Sequence, residues 1–382
     1  MKIIACLSVL LAVAAAQTFA QAPNITQRRG VQEIVVSVKN LDQATAVYRD
    51  VGKFEIKSDG PADPALAVFW GLPAGTRIHE RVMGVPSADK GFLRLVKIEG
   101  LPQVQIRSSS RPFDTGGIFN FNSLVKDMNG VFEHLRDYGF QGFADPNRYT
   151  ITGKLYGGAM MRGHDGAVIN LLERVDQPYD DVPAFETMSH IVNATQMVKD
   201  YDESVEFFAK KLGWYIRWEA APNWPADGSN NMSLPNSLLL SGAVKERAAS
   251  FLFEKGADGG SVEIFKFEGI TGKDYADRAH PPNLGVLSYR IHVPGLAGYA
   301  KAIAARGVTP KVPLTELTVA PYGKVRQDVP VARIRARALS TTSPMPAHLL
   351  DSFSKDDIID LIAYVEQAGA EWANRQRAQP GQ

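Results

Sequence analysis

One pattern recurs four times in this chain, and it constrains the fold more than any single motif. The segments Val38-Lys39-Asn40-Leu41-Asp42, Val125-Lys126-Asp127-Met128-Asn129, Val198-Lys199-Asp200-Tyr201-Asp202 and Val293-Pro294-Gly295-Leu296-Ala297 each follow a β-like run and lead into a helix. Leu41, Ala44, Val47, Tyr48 and Val51 mark the apolar stripe of the first helix, and Val205, Phe208 and Leu212 that of the third. Each helix then meets a glycine: Gly52, Gly139, Gly213 and Gly307 lie 14, 14, 15 and 14 residues after the leading valine. Glycine ends a helix at low cost because the left-handed conformation carries no Cβ clash.

Strand-like stretches follow the first three glycines. Leu93-Arg94-Leu95-Val96-Lys97-Ile98-Glu99-Gly100 closes the first unit, and the nearly identical Val262-Glu263-Ile264-Phe265-Lys266-Phe267-Glu268-Gly269 closes the third. Units one and three therefore correspond, as do two and four. The expectation is an α+β fold of four βαβββ units in two tandem domains, 30–176 and 185–328, joined by a linker with Pro178, Asp180, Asp181 and Pro183. The fourth unit is incomplete: 327–340 carries neither an Asp-Gly turn nor a closing strand pattern.

These residues resemble the vicinal oxygen chelate superfamily, which includes glyoxalase I, bleomycin-resistance proteins and extradiol dioxygenases. The matching parts are the strand ending in Val-x-Asp-Leu-like residues, the helix ending in Leu-Gly, and His164-Asp165-Gly166-Ala167-Val168-Ile169-Asn170-Leu171. The resemblance covers roughly residues 30 to 325 and speaks for fold more than for reaction. It implies that paired units curl into a cup, where a metal, when present, is held by residues of the first and last strands. Counting five residues back from each valine gives Glu33, Asn120, Asn193 and Ser288; the last-strand positions are Arg94, Asn170 and Glu263.

The first cup is expected to gather Glu33, Arg94, Asn120 and Asn170. An arginine repels a cation, and amide oxygens are weak ligands for transition metals, so the usual metal site is expected to be missing there. Two readings of Glu33 and Arg94 stay open. They form a structural ion pair, or Arg94 grips a substrate carboxylate by its fork while Glu33 acts as base. The second cup offers Asn193, Glu263 and Ser288; a rebuilt divalent-metal site from Glu263, His292 and His190 is conceivable. Residues 219–248, with Trp224 and Leu238-Leu239-Leu240, and the shorter 72–90 read as loops that could act as lids.

The ends carry separate signals. Lys2, the apolar run Ile3 to Ala16 and Thr18-Phe19-Ala20 read as a secretory signal peptide cut after Ala20, which implies a periplasmic or secreted protein with no stable membrane insertion. N-terminal sequencing of exported material should then begin at Gln21, and a retained Met1 would refute the cleavage. The sole cysteine, Cys6, lies in that segment, so the mature chain has no disulfide and no thiolate ligand. The tail, 329–382, carries Pro344-Met345-Pro346 and a C-terminal helix capped at Ser354, with Ile358, Leu361, Ile362 and Val365 on one face. It resembles the end of a class I cytochrome c, yet the chain lacks Cys-x-x-Cys-His, so no covalent haem is expected. Contact with a periplasmic redox chain through this tail is one alternative function.

A net charge of +1 and the lack of a basic run argue against nucleic acid as a partner. The function expected is the binding of a small organic molecule, carboxylated or aromatic, without the usual metal site. The alternative is a metal-dependent lyase, isomerase or dioxygenase.

Overall fold

The computed structural model describes residues 30–151, 153–220, 244–257, 260–319 and 324–325. The expected signal peptide, the tail from 329 onward and most of the long loop, 221–243, lie outside the described residues.

Unit one runs β1 (Val31–Ser37), α1 (Leu41–Asp50), β2 (Glu55–Pro61), a short α2 (Ala65–Phe69), β3 (Ile78–Gly84) and β4 (Phe92–Ile98). Unit two runs β5 (Ile118–Val125), α3 (Met128–Asp137), β6 (Gln141–Gly142), β7 (Asn147–Ile151), β8 (Lys154–Arg162) and β9 (Val168–Arg174). Unit three runs β10 (Met188–Met197), α4 (Tyr201–Glu206) with a π turn over Phe207–Lys211, β11 (Tyr215–Ala220), β12 (Lys245–Leu252) and β13 (Ser261–Glu268). Unit four contributes β14 (Gly285–Ile291), α5 (Leu296–Ala304) and a small hairpin, β15 (Leu317–Thr318) with β16 (Lys324–Val325). Residues 72–90, read above as a loop, contain strand β3.

The recurring pattern has a local cause. Its third residue caps the helix: Asn40, Asp127 and Asp200 accept from the backbone N–H of Gln43, Gly130 and Glu203 at 3.1, 2.9 and 2.9 Å, which satisfies a donor the first turn leaves open. Gly295 stands at that place in unit four with φ 63 and no side-chain cap. At the other end, Gly139, Gly213 and Gly307 take the left-handed conformation. Gly52 does not: Lys53 takes it instead, and a Cβ on Gly52 would stand 2.7 Å from the Tyr48 carbonyl oxygen.

The strands form two main sheets, one ordered β14-β1-β4-β3-β2 and the other β11-β12-β13-β10-β5-β9-β8-β6, with β7 also paired to β8. In each complete unit the first and last strands run parallel, as in Glu33 opposite Phe92 and Asn193 opposite Ser261. The pairing of units differs from expectation. First strands join antiparallel across the chain, β1 with β14 and β5 with β10. Unit one thus shares a sheet with unit four, and unit two with unit three. Glu33 and Arg94 lie in one sheet, Asn120 and Asn170 in the other, and the expected gathering of these four in one cup does not occur.

One large core joins the helix-bearing faces of both sheets. It holds Ile34, Val36, Leu93 and Leu95 from the first, Phe121, Leu171, Ala194 and Ile264 from the second, and Leu41, Val47, Val131 and Leu135 from the helices. Two reciprocal hydrogen bonds tie the sheets: Ile191 N–H donates to the Gly91 carbonyl at 2.9 Å, and Val31 N–H to the Gly260 carbonyl at 3.3 Å. Gly91 sits at φ 64, and an added Cβ would collide with the Ile191 carbonyl oxygen. Gly91→Ala should therefore cost at least roughly 1–2 kcal/mol, read as a lowered urea midpoint at unchanged slope; an unchanged midpoint would show that the seam yields.

Candidate functional site

Alternation along a strand assigns each residue to one of two faces. The two sheets use the face away from the main core in opposite ways.

On the five-stranded sheet that face is filled by the chain itself. Leu66 and Ala67 of α2, with Leu72, pack against Val35, Ile78, Val96 and Ile98. Beside them Arg94, with no exposed surface, donates to both oxygens of Glu33 at 2.8 and 2.9 Å and to Glu80 at 3.0 Å. Arg290 of β14 donates to Glu33 at 2.7 Å. Two guanidinium groups thus face two carboxylates in a buried network in which Oε1 of Glu80 has no hydrogen-bond partner, with no fork of Arg94 left open towards solvent. Where the resemblance puts a metal ligand, this cup places a cation. The residues do not fit a metal there.

On the nine-stranded sheet the arrangement is polar and largely unpaired. Asn120 and Asn122 of β5, Asn170 of β9, Asn193 and Thr195 of β10, Ser261 and Glu263 of β13, and Glu246 and Ser250 of β12 share one face. The opposite residues on these strands, such as Phe121, Ile169, Leu171, Ala194, Ala249, Val262 and Ile264, belong to the main core. Asn170 stands opposite Asn122, Thr195 opposite both Asn120 and Glu263, and Ser250 opposite Glu263. An apolar patch borders them: Met160, Val168, Met197, Ala248, Phe265 and Phe267, with Trp218 alongside.

Asn120 and Ser250 are fully buried, and Asn170 is 3% exposed. Yet the amide oxygens of Asn120, Asn170 and Asn193 have no hydrogen-bond partner, nor do the hydroxyls of Ser250, Ser261 and Tyr149 or Oε2 of Glu246. Each such group left unmade costs about 1–3 kcal/mol, and native interiors leave few of them. Seven such atoms on one face set it apart from the rest of the described structure. Tyr149 reaches this face because Gly158 beneath it lacks a Cβ; an added one would stand 2.6 Å from the Tyr149 ring.

Burial pushes the Glu246 carboxyl up to about 8, and repulsion from Glu263 adds to this. Burial likewise pushes Glu263 up to about 7, against the pull of the exposed Arg217 and hydrogen bonds from Thr195 and Asn193. Both glutamates keep some surface that water reaches. Raised carboxyls hold protons in the fold that they release when unfolded. Below the ordinary value of 4.5 they contribute no penalty; between 4.5 and about 7 to 8 the unfolded chain ionises while the fold stays protonated, so stability falls across that window and levels off above it. Glu263→Gln should therefore flatten the fall in urea midpoint between about pH 4.5 and 7, and an unchanged slope would contradict the assigned burial. A carboxyl that titrates near neutrality can also take or give a proton during chemistry.

Asn120, Asn170, Asn193 and Glu263 occupy the positions where the resemblance implies metal ligands. One carboxylate and three neutral amide oxygens lack the imidazoles that suit zinc, iron or nickel, so this set does not fit such a metal. The rebuilt set of Glu263, His292 and His190 is not brought together. His292 is exposed just past the end of β14, in the other sheet. His190 is buried at the seam, where a Cβ on Gly91 would stand 2.7 Å from its ring. Ser288 also lies in the five-stranded sheet, opposite Val35, away from Asn193 and Glu263. Among the described residues no group of three His, Cys, Asp or Glu side chains is placed to hold a metal.

The chain is similar in structure to glyoxalase I of Zea mays. A single-residue variant of that protein matches at 14% identity and a TM-score of 0.48, over 78% of this chain and 86% of the other. A glyoxalase family protein from Bacillus cereus matches at 19% identity and a TM-score of 0.33, over 40% of this chain and 98% of its own. A variant of 4-hydroxymandelate synthase from Streptomyces coelicolor matches at 10% identity and a TM-score of 0.29, over 66% and 96%. No protein-family model matches the sequence, and no curated protein does. The repeated βαβββ units, with parallel first and last strands and antiparallel pairing between units, agree with the α+β repeat expected from the sequence. Identities this low leave the site to be argued from its own residues.

Sequence reasoning missed Asn122, Tyr149, Glu246, Ser250 and Ser261. Glu246, Ala248 and Ser250 alternate as strand residues do, a signal hidden where Glu246 and Ala248 were read as part of a loop.

Proposed function

We propose that the chain binds one small organic molecule on the polar face of the nine-stranded sheet, and that the corresponding face of the five-stranded sheet is structural. The concentration of buried, unpartnered polar atoms around Asn170 and Glu263 supports this reading. The bordering apolar patch suits a ligand with an apolar or aromatic part. Glu263 is the group available to exchange a proton with it.

The test is a thermal-shift screen of small organic acids, alcohols and amines against the wild type and Asn170→Leu. Compounds that stabilise the wild type should lose their effect in the variant. Hits that survive Asn170→Leu unchanged, or a screen in which nothing binds the wild type, would sink the proposal.

A further inference from the structure

The character of the lining narrows the ligand class, and this inference rests on the site proposed above. The side chains that converge offer mainly acceptor oxygens, and the hydroxyls among them, Ser250, Ser261 and Tyr149, can accept as well as donate. Glu263 and Glu246 contribute carboxyls, and Asn193 donates its amide N–H towards Glu263, while its own oxygen is unpartnered. The amide oxygens of Asn120 and Asn170 are likewise unpartnered, at 0% and 3% exposure.

Positive charge is scarce at this face among the described residues. Arg217 on the edge strand β11 acts on Glu263 only from an exposed position. The other nearby cations are committed elsewhere. Arg162 donates to Gln105 and to the Arg107 carbonyl. Arg174 donates to Asp181 and the Pro178 carbonyl, Arg148 to Glu173, and Arg247 to Asp202. Tyr149, the remaining titratable group that faces Glu263, is held neutral by burial. The guanidinium buried at the border of the patch, Arg107, lies 4.9 Å over the Phe119 ring and donates to the carbonyls of Gly116, Arg111 and Asp114, so a carboxylate ligand would meet mainly two carboxyls and a ring of amide oxygens.

We infer that this face takes a protonated organic amine, its ammonium group set among Glu263, Glu246 and the amide oxygens of Asn120, Asn170 and Asn193, and its apolar part against the Met160–Phe265 patch. An ammonium supplies up to three donors and no acceptor, which matches orphaned acceptors, and aromatic rings beside it add cation–π attraction. Such a ligand stabilises the ionised form of both glutamates, so its binding releases protons.

Three probes of matched shape separate the possibilities: phenethylamine, 2-phenylethanol and phenylacetate, titrated calorimetrically into the full chain. At pH 7.5 phenethylamine should bind at least tenfold more tightly than either of the others. Its affinity should rise between pH 6 and pH 8.5, and titrations in phosphate and Tris should differ in heat by the amount that proton release predicts. Glu263→Gln should reduce its affinity about tenfold or more and remove most of the proton release, while circular dichroism reports an intact fold. Phenylacetate or 2-phenylethanol binding as tightly as the amine would overturn the inference, as would amine binding without proton release or failure of all three to bind. Magnesium chloride that binds alone and displaces phenethylamine at fixed ionic strength would assign the face to a metal ion and overturn it too. A carboxylated hit in the thermal-shift screen that depends on Asn170 would refute the ligand class while leaving the site in place.

Discussion

Arg94→Met should destabilise the fold by roughly 3–5 kcal/mol, the scale of removing one partner from a buried ion pair. Glu33 and Arg94 have no exposed surface, and Glu80 is 8% exposed. Without the guanidinium, Glu33 keeps only Arg290, and Glu80 loses the donor that stands 3.0 Å from it. Two carboxylates would then share an apolar setting made by Val35, Leu66 and Val96. Urea denaturation should show a lowered midpoint at unchanged slope. Glu33→Gln combined with Arg94→Met should recover part of the loss, because the pair is then removed together. Ligand affinity at the other sheet should be unchanged once the variant is folded. A variant with full stability and impaired binding would instead favour the reading in which Arg94 grips a substrate.

Asn170→Leu should act in the opposite sense. It removes a buried amide whose oxygen has no partner, next to the apolar Met160 and Val168. The unliganded protein should gain about 1 kcal/mol or more, the lower end of the penalty for an unmet buried polar group, while ligand binding falls at least tenfold. Ser250→Ala, which deletes a fully buried and unpartnered hydroxyl without adding volume, should stabilise by a similar amount. Gains in stability coupled to losses in binding are the signature of residues kept for function. Destabilisation by both substitutions would mean that the polar face is structural.

Much of the fold was legible in the sequence because its signals are local. Asn40, Asp127 and Asp200 cap helices through their own side chains, and Gly139, Gly213 and Gly307 end them through their own φ angles. The pairing of units was not legible. Val38, Val125, Val198 and Val293 follow strands of the same local character, and nothing in the pattern says that β1 seeks β14 and β5 seeks β10. That choice depends on contacts between distant residues, such as Gly91 with Ile191 and Gly260 with Val31. The candidate site followed from the same gap. The count from each valine reached Asn120 and Asn193, and the last-strand positions added Asn170 and Glu263, but the units were joined wrongly, so Asn120 and Asn170 were assigned to the cup of Arg94. Tyr149 and Glu246 come from inner strands that the count did not reach, and the first depends on the missing Cβ of Gly158.

The most direct measurement is a crystal structure of the chain soaked with phenethylamine, 2-phenylethanol and phenylacetate in separate experiments. Density for a bound probe should appear on the polar face of the nine-stranded sheet, within hydrogen-bond distance of Asn170 or Glu263, with α2 still packed on Val35 and Val96. A probe found beside Arg94 in the five-stranded sheet, with the polar face empty, would contradict the proposed site.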